Sequence, residues 1–230
     1  TGKTISPIGP AQEQWPFPEL SPDGRYVAIV AKENEVEDVW IHDAERGTRT
    51  RLSASNVPYS IEAWSPDAKT ILYNEGSSPP VTMKTKNVDG SGEARTLHTG
   101  YAASYSADGR YLIFADFVKA NNWDLWYLDT KGDGKPVSLL SSPATEVWPR
   151  LSPDGKYFVY VSGDSGADEI YLKRFPQGDG RWQVTVGGGT WPKWSRQGDK
   201  IYYARGDTVM EVDVAAGPEP HLGAPRELFT

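Results

Sequence analysis

The tetrapeptide Ser-Pro-Asp-Gly, followed by a basic residue and an apolar run, constrains this chain more than any other feature. It opens "SPDGRYVAIV" at Ser21 and returns as "SPDAKTILY" at Ser65, "SADGRYLIF" at Ser106 and "SPDGKYFVY" at Ser152. A degenerate copy, "SRQGDKIYY", starts at Ser195. The serines stand 44, 41, 46 and 43 residues apart, and a unit recurring in the low forties denotes an array or ring of structural repeats. Within each copy Pro presets φ, Asp accepts hydrogen bonds from nearby N–H groups, and Gly takes positive φ at low cost. The motif therefore reads as a tight turn between two strands. Asp23, Asp67, Asp108 and Asp154 are turn residues and not a catalytic set.

The fourth unit shows what one repeat contains. Glu146 to Leu151 predicts a short strand, "KYFVYVS" a second, "EIYLKRF" a third and "RWQVTV" a fourth, each rich in β-branched or aromatic residues. Third strands elsewhere begin "DVWIHD" at Asp38, "DLWYLD" at Asp124 and "DTVMEVD" at Asp207; "PVTMKTKNVDG" of the second unit is the least distinct. No segment sustains helical periodicity. Middle strands that are apolar on both faces need like neighbours on both sides. The expected fold is therefore all-β: a β-propeller of four-stranded antiparallel blades, with repeats at about 15–57, 58–99, 100–145, 146–188 and 189–230. Residues 1–14 read as an orphan outer strand and connection, because "TGKTISPIG" resembles a fourth strand such as "RGTRTRLSA". Five repeats with an orphan strand suit a five-bladed ring with a spare edge, or a fragment of a propeller of six or more blades.

Charge narrows the partners. The net charge is −7 and no basic run occurs, which excludes a nucleic-acid binder that works by displacing phosphate counterions. No stretch approaches the roughly 20 apolar residues of a membrane span, so direct membrane insertion by this chain is not expected. The first residues have neither the basic end nor the apolar heart of a signal peptide. Zero Cys removes disulfides, thiolate nucleophiles and Cys-ligated zinc together.

The pattern aromatic/Leu-Ser-Pro-Asp-Gly-Lys/Arg, then Asp/Glu-apolar-Trp/Tyr, resembles the repeats of TolB-like propellers. Three stretches resemble more closely the propellers attached to bacterial serine/threonine protein kinases and transcriptional regulators: "DLWYLDTKGDGKP", "SGADEIYLKRFPQGDGRWQVTVGGGTWPKWSRQGDKIYY" and "MEVDVAAGPEPHLGAPRELF". The resemblance spans essentially the whole chain. It implies a propeller fold, a sensing or interaction role and an extracytoplasmic place, in the periplasm or at the cell surface. The kinase signature itself is absent: there is no Gly-rich loop ahead of a strand Lys, no His-Arg-Asp and no Asp-Phe-Gly.

A search for chemistry is largely negative. His42, His98 and His221 fall on different repeats, so neither a Ser-His-Asp arrangement nor a shared metal is expected, and no cofactor is called for. "DTKGDGK" from Asp129 lacks the carboxylates of a calcium loop at its third and twelfth positions. "GDSGADE" from Gly163 reads as a solvated hairpin, and Gly187 to Gly189 as a connection between repeats. The innermost strands say more. Two residues before each motif serine stand Glu19, Ala63, Ser104, Arg150 and Lys193; four before stand Phe17, Ile61, Ala102, Trp148 and Trp191. The candidate ligand site at the channel mouth is Glu19, Tyr101, Trp148, Arg150, Trp191 and Lys193, with two cations against one carboxylate favouring an anionic or carboxyl-bearing ligand. A water-filled channel with structural ion pairs is the competing reading of the same charges. The expected function is a non-enzymatic sensing or protein-interaction module of a larger bacterial signalling or envelope protein. A glycan- or peptide-binding propeller is the alternative, and a lyase or hydrolase is the least favoured.

Overall fold

The computed structural model describes residues 13–14, 18–34, 36–53, 59–76, 78–118, 122–215, 217 and 219–230. Among them every regular element is a β-strand, and the fold is an all-β propeller of five antiparallel blades. Two compact units divide the chain, Thr1–Gly100 and Tyr101–Thr230.

The first unit holds blades 1 and 2. Blade 1 comprises Glu13–Gln14 and Glu19–Leu20, which share the first position, then Tyr26–Glu33, Val36–Asp43 and Arg49–Arg51. Glu13 and Gln14 pair with Lys32 and Ala31 in that first position, while the rest of the expected orphan strand lies outside the described residues. Blade 2 comprises Tyr59–Trp64, Thr70–Glu75, Thr82–Asn87 and Arg95–Thr99. Its indistinct third strand pairs with the second along its whole length, from Thr70↔Asn87 to Glu75↔Thr82. Ala28, Val30, Val39 and Ile41 of blade 1 pack on Trp64, Ile71 and Tyr73 of blade 2.

The second unit holds blades 3, 4 and 5. Blade 3 runs Tyr101–Tyr105, Tyr111–Val118, Asn122–Asp129, Val137–Leu140; blade 4 runs Glu146–Leu151, Tyr157–Ser162, Glu169–Arg174, Trp182–Gln183. Blade 5 has Thr190–Trp194, Lys200–Arg205 and Thr208–Ala215, with its outer position shared by His221–Leu222 and Arg226–Phe229. The fourth strand of blade 4 is shorter than "RWQVTV" predicts. Thr185 leaves the ladder because its hydroxyl, not its backbone, takes the Ile170 N–H (2.8 Å). Alternation along blade 4 sends Phe158, Tyr160 and Tyr171 toward Ile113, Ala115 and Leu125 of blade 3. It sends Val159, Val161, Ile170 and Leu172 toward Ile201, Tyr203, Met210 and Val212 of blade 5. Each Val, Leu, Ile, Phe and Met among them contributes roughly 1.5–3 kcal/mol on burial. The other face of blade 5 is ionic instead: Lys200 and Arg226 bridge Glu211 and Asp213 at 2.8–3.1 Å.

The repeated turn is built by one hydrogen-bond chain. Ser21, Ser65, Ser106 and Ser152 donate their hydroxyls to Asp23, Asp67, Asp108 and Asp154 at 2.6–2.7 Å. Each hydroxyl accepts the N–H five residues on, at 2.8–3.0 Å. Each aspartate also accepts the N–H two residues on, at 3.0–3.1 Å. The serine hydroxyl is the first cause that holds Asp23, Asp67 and Asp108 below the ordinary carboxyl range. At Asp154 burial pushes upward, but Ser152 and the Lys156 N–H outweigh it. The degenerate fifth copy restores the pair from another position: Ser195 donates to Asp199 at 2.6 Å.

Candidate functional site

Opposite the repeated turns, the first strands of blades 2 to 5 each carry one residue too many for their partners. The register slips between Ile61 and Ala63, Tyr101 and Ser104, Val147 and Arg150, and Thr190 and Lys193. Such bulges re-aim side chains and gather near functional sites. Counting back from the serine in steps of two assumes regular alternation, and the extra residue breaks it. In blades 4 and 5 the bulge is written Trp148-Pro149 and Trp191-Pro192. Proline has no N–H for the ladder, and both prolines turn inward and are buried.

The tryptophans before them take the strain. Trp148 and Trp191 both sit at φ +51°, a conformation that costs a bulky residue on the order of 1–3 kcal/mol. Their ring centroids lie 5.8 Å apart with planes at 57°. Trp191 is 47% exposed, and Trp148 rests half-buried on the core between blades 4 and 5. Two strained backbones thus present one aromatic surface.

Of the other expected site residues, Arg150 follows Trp148 by two positions on the same strand. Its Nη1 donates to the Pro149 carbonyl (3.0 Å) and to the Ala103 carbonyl of blade 3 (3.4 Å). Lys193 is exposed and pairs with Tyr202. Tyr101 joins a different aromatic group. It packs on Trp123 (5.8 Å, 51°), which meets Phe117 edge-on (5.6 Å, 69°), and Phe117 is 43% exposed. Trp123 and Phe117 face each other across the ladder of blade 3 and were not expected at the site; the aromatics flanking "VKANN" are the signal that marks them. Glu19 lies in the first unit, half-buried, while the remaining five belong to the second. The structure brings the Trp148 and Trp191 rings together and gives Tyr101 another set of neighbours.

Two indoles hold the first strands from beneath. Trp64 Nε1 donates to the Glu19 carbonyl and Trp194 Nε1 to the Arg150 carbonyl, both at 3.0 Å. Each bond joins consecutive blades of one unit.

A second device, absent from the sequence reading, sits at the bulge end of the sheets. An acid within the first three residues of the third strand is buried and takes a hydroxyl from just beyond the fourth. Ser53 donates to Asp38 (3.1 Å), Ser141 to Asp124 (2.7 Å) and Thr185 to Glu169 (2.5 Å). Gly187 and Gly188 N–H groups complete Glu169 at 2.8 and 2.9 Å. The adjacent Ser142 donates to Glu146, whose carboxyl burial pushes up to about 6. No described group donates to Asp124 Oδ1 or Glu146 Oε2, although both residues are buried.

The histidines lie in three different blades. His42 is buried in blade 1, where burial and then Arg49 lower its pKa; His98 hydrogen-bonds the Thr99 carbonyl in blade 2 (2.7 Å), and His221 is exposed in blade 5. Among the described residues no group of three His, Cys, Asp or Glu is placed to hold a metal ion.

No family model matches the chain. It is 27% identical over 203 residues to an uncharacterized protein of Agrobacterium fabrum, covering 81% of this chain and 68% of that one. It is 27% identical to Tricorn protease homolog 1 of Streptomyces coelicolor and 21% identical to the Tol-Pal system protein TolB of Wolinella succinogenes. These matches cover 75% and 68% of this chain but only 15% and 38% of the two proteins. Among solved structures it is similar to a putative TolB from Agrobacterium tumefaciens, at 17% identity, a TM-score of 0.70, and 92% and 79% coverage of the two chains. An oligogalacturonate lyase from Vibrio parahaemolyticus gives a TM-score of 0.66 at 14% identity, covering 92% of this chain and 65% of that one. The fold is therefore a TolB-like β-propeller, one that proteins named as peptidases and lyases share.

Proposed function

We propose that this chain is a non-enzymatic binding propeller, a sensing or protein-interaction module that receives a peptide segment of a partner protein across Trp148 and Trp191. The single observation that carries this reading is the paired strain: two tryptophans at φ +51°, their tilted rings 5.8 Å apart, on matching bulges. Strain held at equivalent positions of two blades signals pre-organisation, because a relaxed strand would have placed smaller residues there. Indoles present a large, stiff surface at little entropic cost, which is how binding hot spots are built. Arg150 and Lys193 on the same two strands add positive charge, so the favoured segment carries a carboxylate. The dispersed histidines and the absence of a metal-ligand group among the described residues support a binding role over a hydrolase or lyase.

We further propose that the module works outside the cytoplasm as part of a larger signalling or envelope protein. The likeness to TolB supports this, and no helix among the described residues is long and apolar enough to cross a membrane. A glycan is the second reading, favoured by the exposure of the flat Trp191 ring, since such faces stack on sugars.

The test is an NMR titration of the indole and backbone N–H signals against peptide and oligosaccharide libraries. Shifts centred on residues 147–150 and 190–193, abolished in Trp191→Ala, are the expected result. Contacts confined to the Ser-Pro-Asp-Gly turns would overturn the placement, and preference for neutral sugars over acidic peptides would select the second reading.

A further inference from the structure

Near the tip of its middle hairpin, blade 3 carries rings where the other four blades carry none. Eleven residues after the motif serines stand Lys32, Gly76, Phe117, Gly163 and Gly206. In blades 2, 4 and 5 this residue is the glycine just beyond the second strand, and in blade 1 Lys32 faces Glu37 across the ladder. Blade 3 instead carries the ladder on to Phe117↔Trp123 and Val118↔Asn122. The fold is thus satisfied here by a glycine or by opposite charges, and it does not require an aromatic pair. Yet Phe117 is 43% exposed and meets Trp123 edge-on, and Trp123 packs on Tyr101. A lone exposed apolar residue needs no explanation, whereas three grouped rings at a hairpin end do.

This group lies at the same end as the strained tryptophans and on the neighbouring blade. Tyr101, Val147 and Thr190 are the residues at which the registers of blades 3, 4 and 5 slip. Phe117 stands two rungs beyond Ala115, the partner of Tyr101. Val147 belongs to both sides of blade 4. It packs, as Trp123 does, on the core of Ile113, Ala115 and Leu125, and, as Trp148 does, on the core of Val159, Val161 and Ile201. Arg150 ties the two first strands together, its Nη1 donating to the carbonyls of Pro149 (3.0 Å) and Ala103 (3.4 Å). Donation to a carbonyl leaves the guanidinium charge in place.

We propose that Phe117, Trp123 and Tyr101 form a second aromatic subsite for the ligand of Trp148 and Trp191, and that this ligand is an extended peptide whose two apolar side chains flank a carboxylate. The inference rests on the binding reading above and names what that site takes. One apolar side chain lies on the indole pair and the other on the rings of blade 3, with the carboxylate toward Arg150 at the seam of the two strands. Charge selects this occupant: Arg150 and Lys193 make the first strands of blades 4 and 5 positive, which an acidic group complements and a wholly apolar segment does not. Two anchors on one chain also hold better than either alone, because the second contact is intramolecular.

The test is an NMR titration of the isotope-labelled chain with two sets of Gly-Ser peptides. One set carries a single aromatic residue beside an Asp; the other carries two aromatic residues on either side of an Asp, with spacers of graded length. The best two-ring peptide is expected to bind about tenfold tighter than the one-ring peptides and to shift the Trp123 indole together with those of Trp148 and Trp191. Phe117→Lys, which imitates blade 1, and Phe117→Leu, which stays apolar but loses the ring, should each cost most of that gain. Their backbone spectra outside blade 3 report that they fold. Equal affinity of the two sets at every spacer, or a gain retained in both Phe117 variants, would overturn the second subsite. Shifts at Trp148 and Trp191 with Phe117 and Trp123 unmoved would also overturn it, while leaving the binding reading intact. Shifts at Phe117 and Trp123 alone would defeat that reading and leave the subsite standing.

Discussion

The two ends of the blades are built on opposite plans. At the turn end, five serines make the same hydroxyl-to-carboxylate bond and accept the same backbone N–H, and even the degenerate copy recovers the bond through Asp199. At the bulge end the blades diverge: blades 4 and 5 place strained tryptophans before prolines, blade 3 a Tyr-Trp-Phe group, and blade 2 a buried Glu62 held by Ser60 and Asn74. The contrast teaches where selection for stability ends. A bond repeated in every blade fixes strand spacing and tolerates one chemistry, whereas an end whose chemistry changes from blade to blade is available for recognition.

Four experiments test that contrast, taken in order of expected effect. The largest effect is expected from Ser152→Ala, which removes a buried hydroxyl that serves both Asp154 and the Tyr157 N–H. A loss of about 1–3 kcal/mol in denaturant unfolding is predicted, with ligand affinity unchanged in whatever fraction stays folded.

Next comes pH, where the two ends respond with opposite sign. Glu146 has its folded carboxyl raised from 4.5 to about 6, so its contribution is complete below 4.5 and is lost as pH rises through about 6. That slope should be on the order of 1–2 kcal/mol and vanish in Glu146→Gln. The turn aspartates are depressed below 3.8, so their contribution is present above that value and lost as pH falls. A melting-temperature profile with a single acid limb and no decline between pH 5 and 7 would contradict the assignment of opposite signs.

Asp154→Ala should cost about 1 kcal/mol, and Asp199→Ala less. Asp154 accepts both the Ser152 hydroxyl and the Lys156 N–H, whereas Asp199 serves the Ser195 hydroxyl from a later position. Equal melting losses would show that the hydroxyl bond alone matters. The smallest stability effect belongs to Trp191→Gly. Relief of φ +51° offsets the loss of a half-exposed ring, leaving stability within about 0.5 kcal/mol of wild type while ligand binding disappears. A large loss of stability would mean that the ring supports the fold and not a ligand.

The turn end was legible in the sequence because its chemistry is local. Ser, Asp and Gly lie within four residues, so their bonds follow from spacing, and the period of the serines then dictates the blades. The bulge end was legible in part. The dipeptide Trp-Pro recurs four residues before Ser152 and Ser195, and a proline inside a predicted strand already argues for a bulge. The partners of Tyr101 and the serine clasp on Asp124 and Glu146 were not legible. They join residues from different strands and blades, and no spacing along the chain announces them.

The indole bonds from Trp64 and Trp194 end on the carbonyls of Glu19 and Arg150, not on their side chains. A carbonyl is the same acceptor whatever residue bears it. An acid occupies that position in one blade and a base in another, and the fastening between neighbours is identical. Descendants of this chain are therefore free to recode those inner positions, exchanging one specificity for another by point mutation, without first having to reinvent how adjacent repeats adhere.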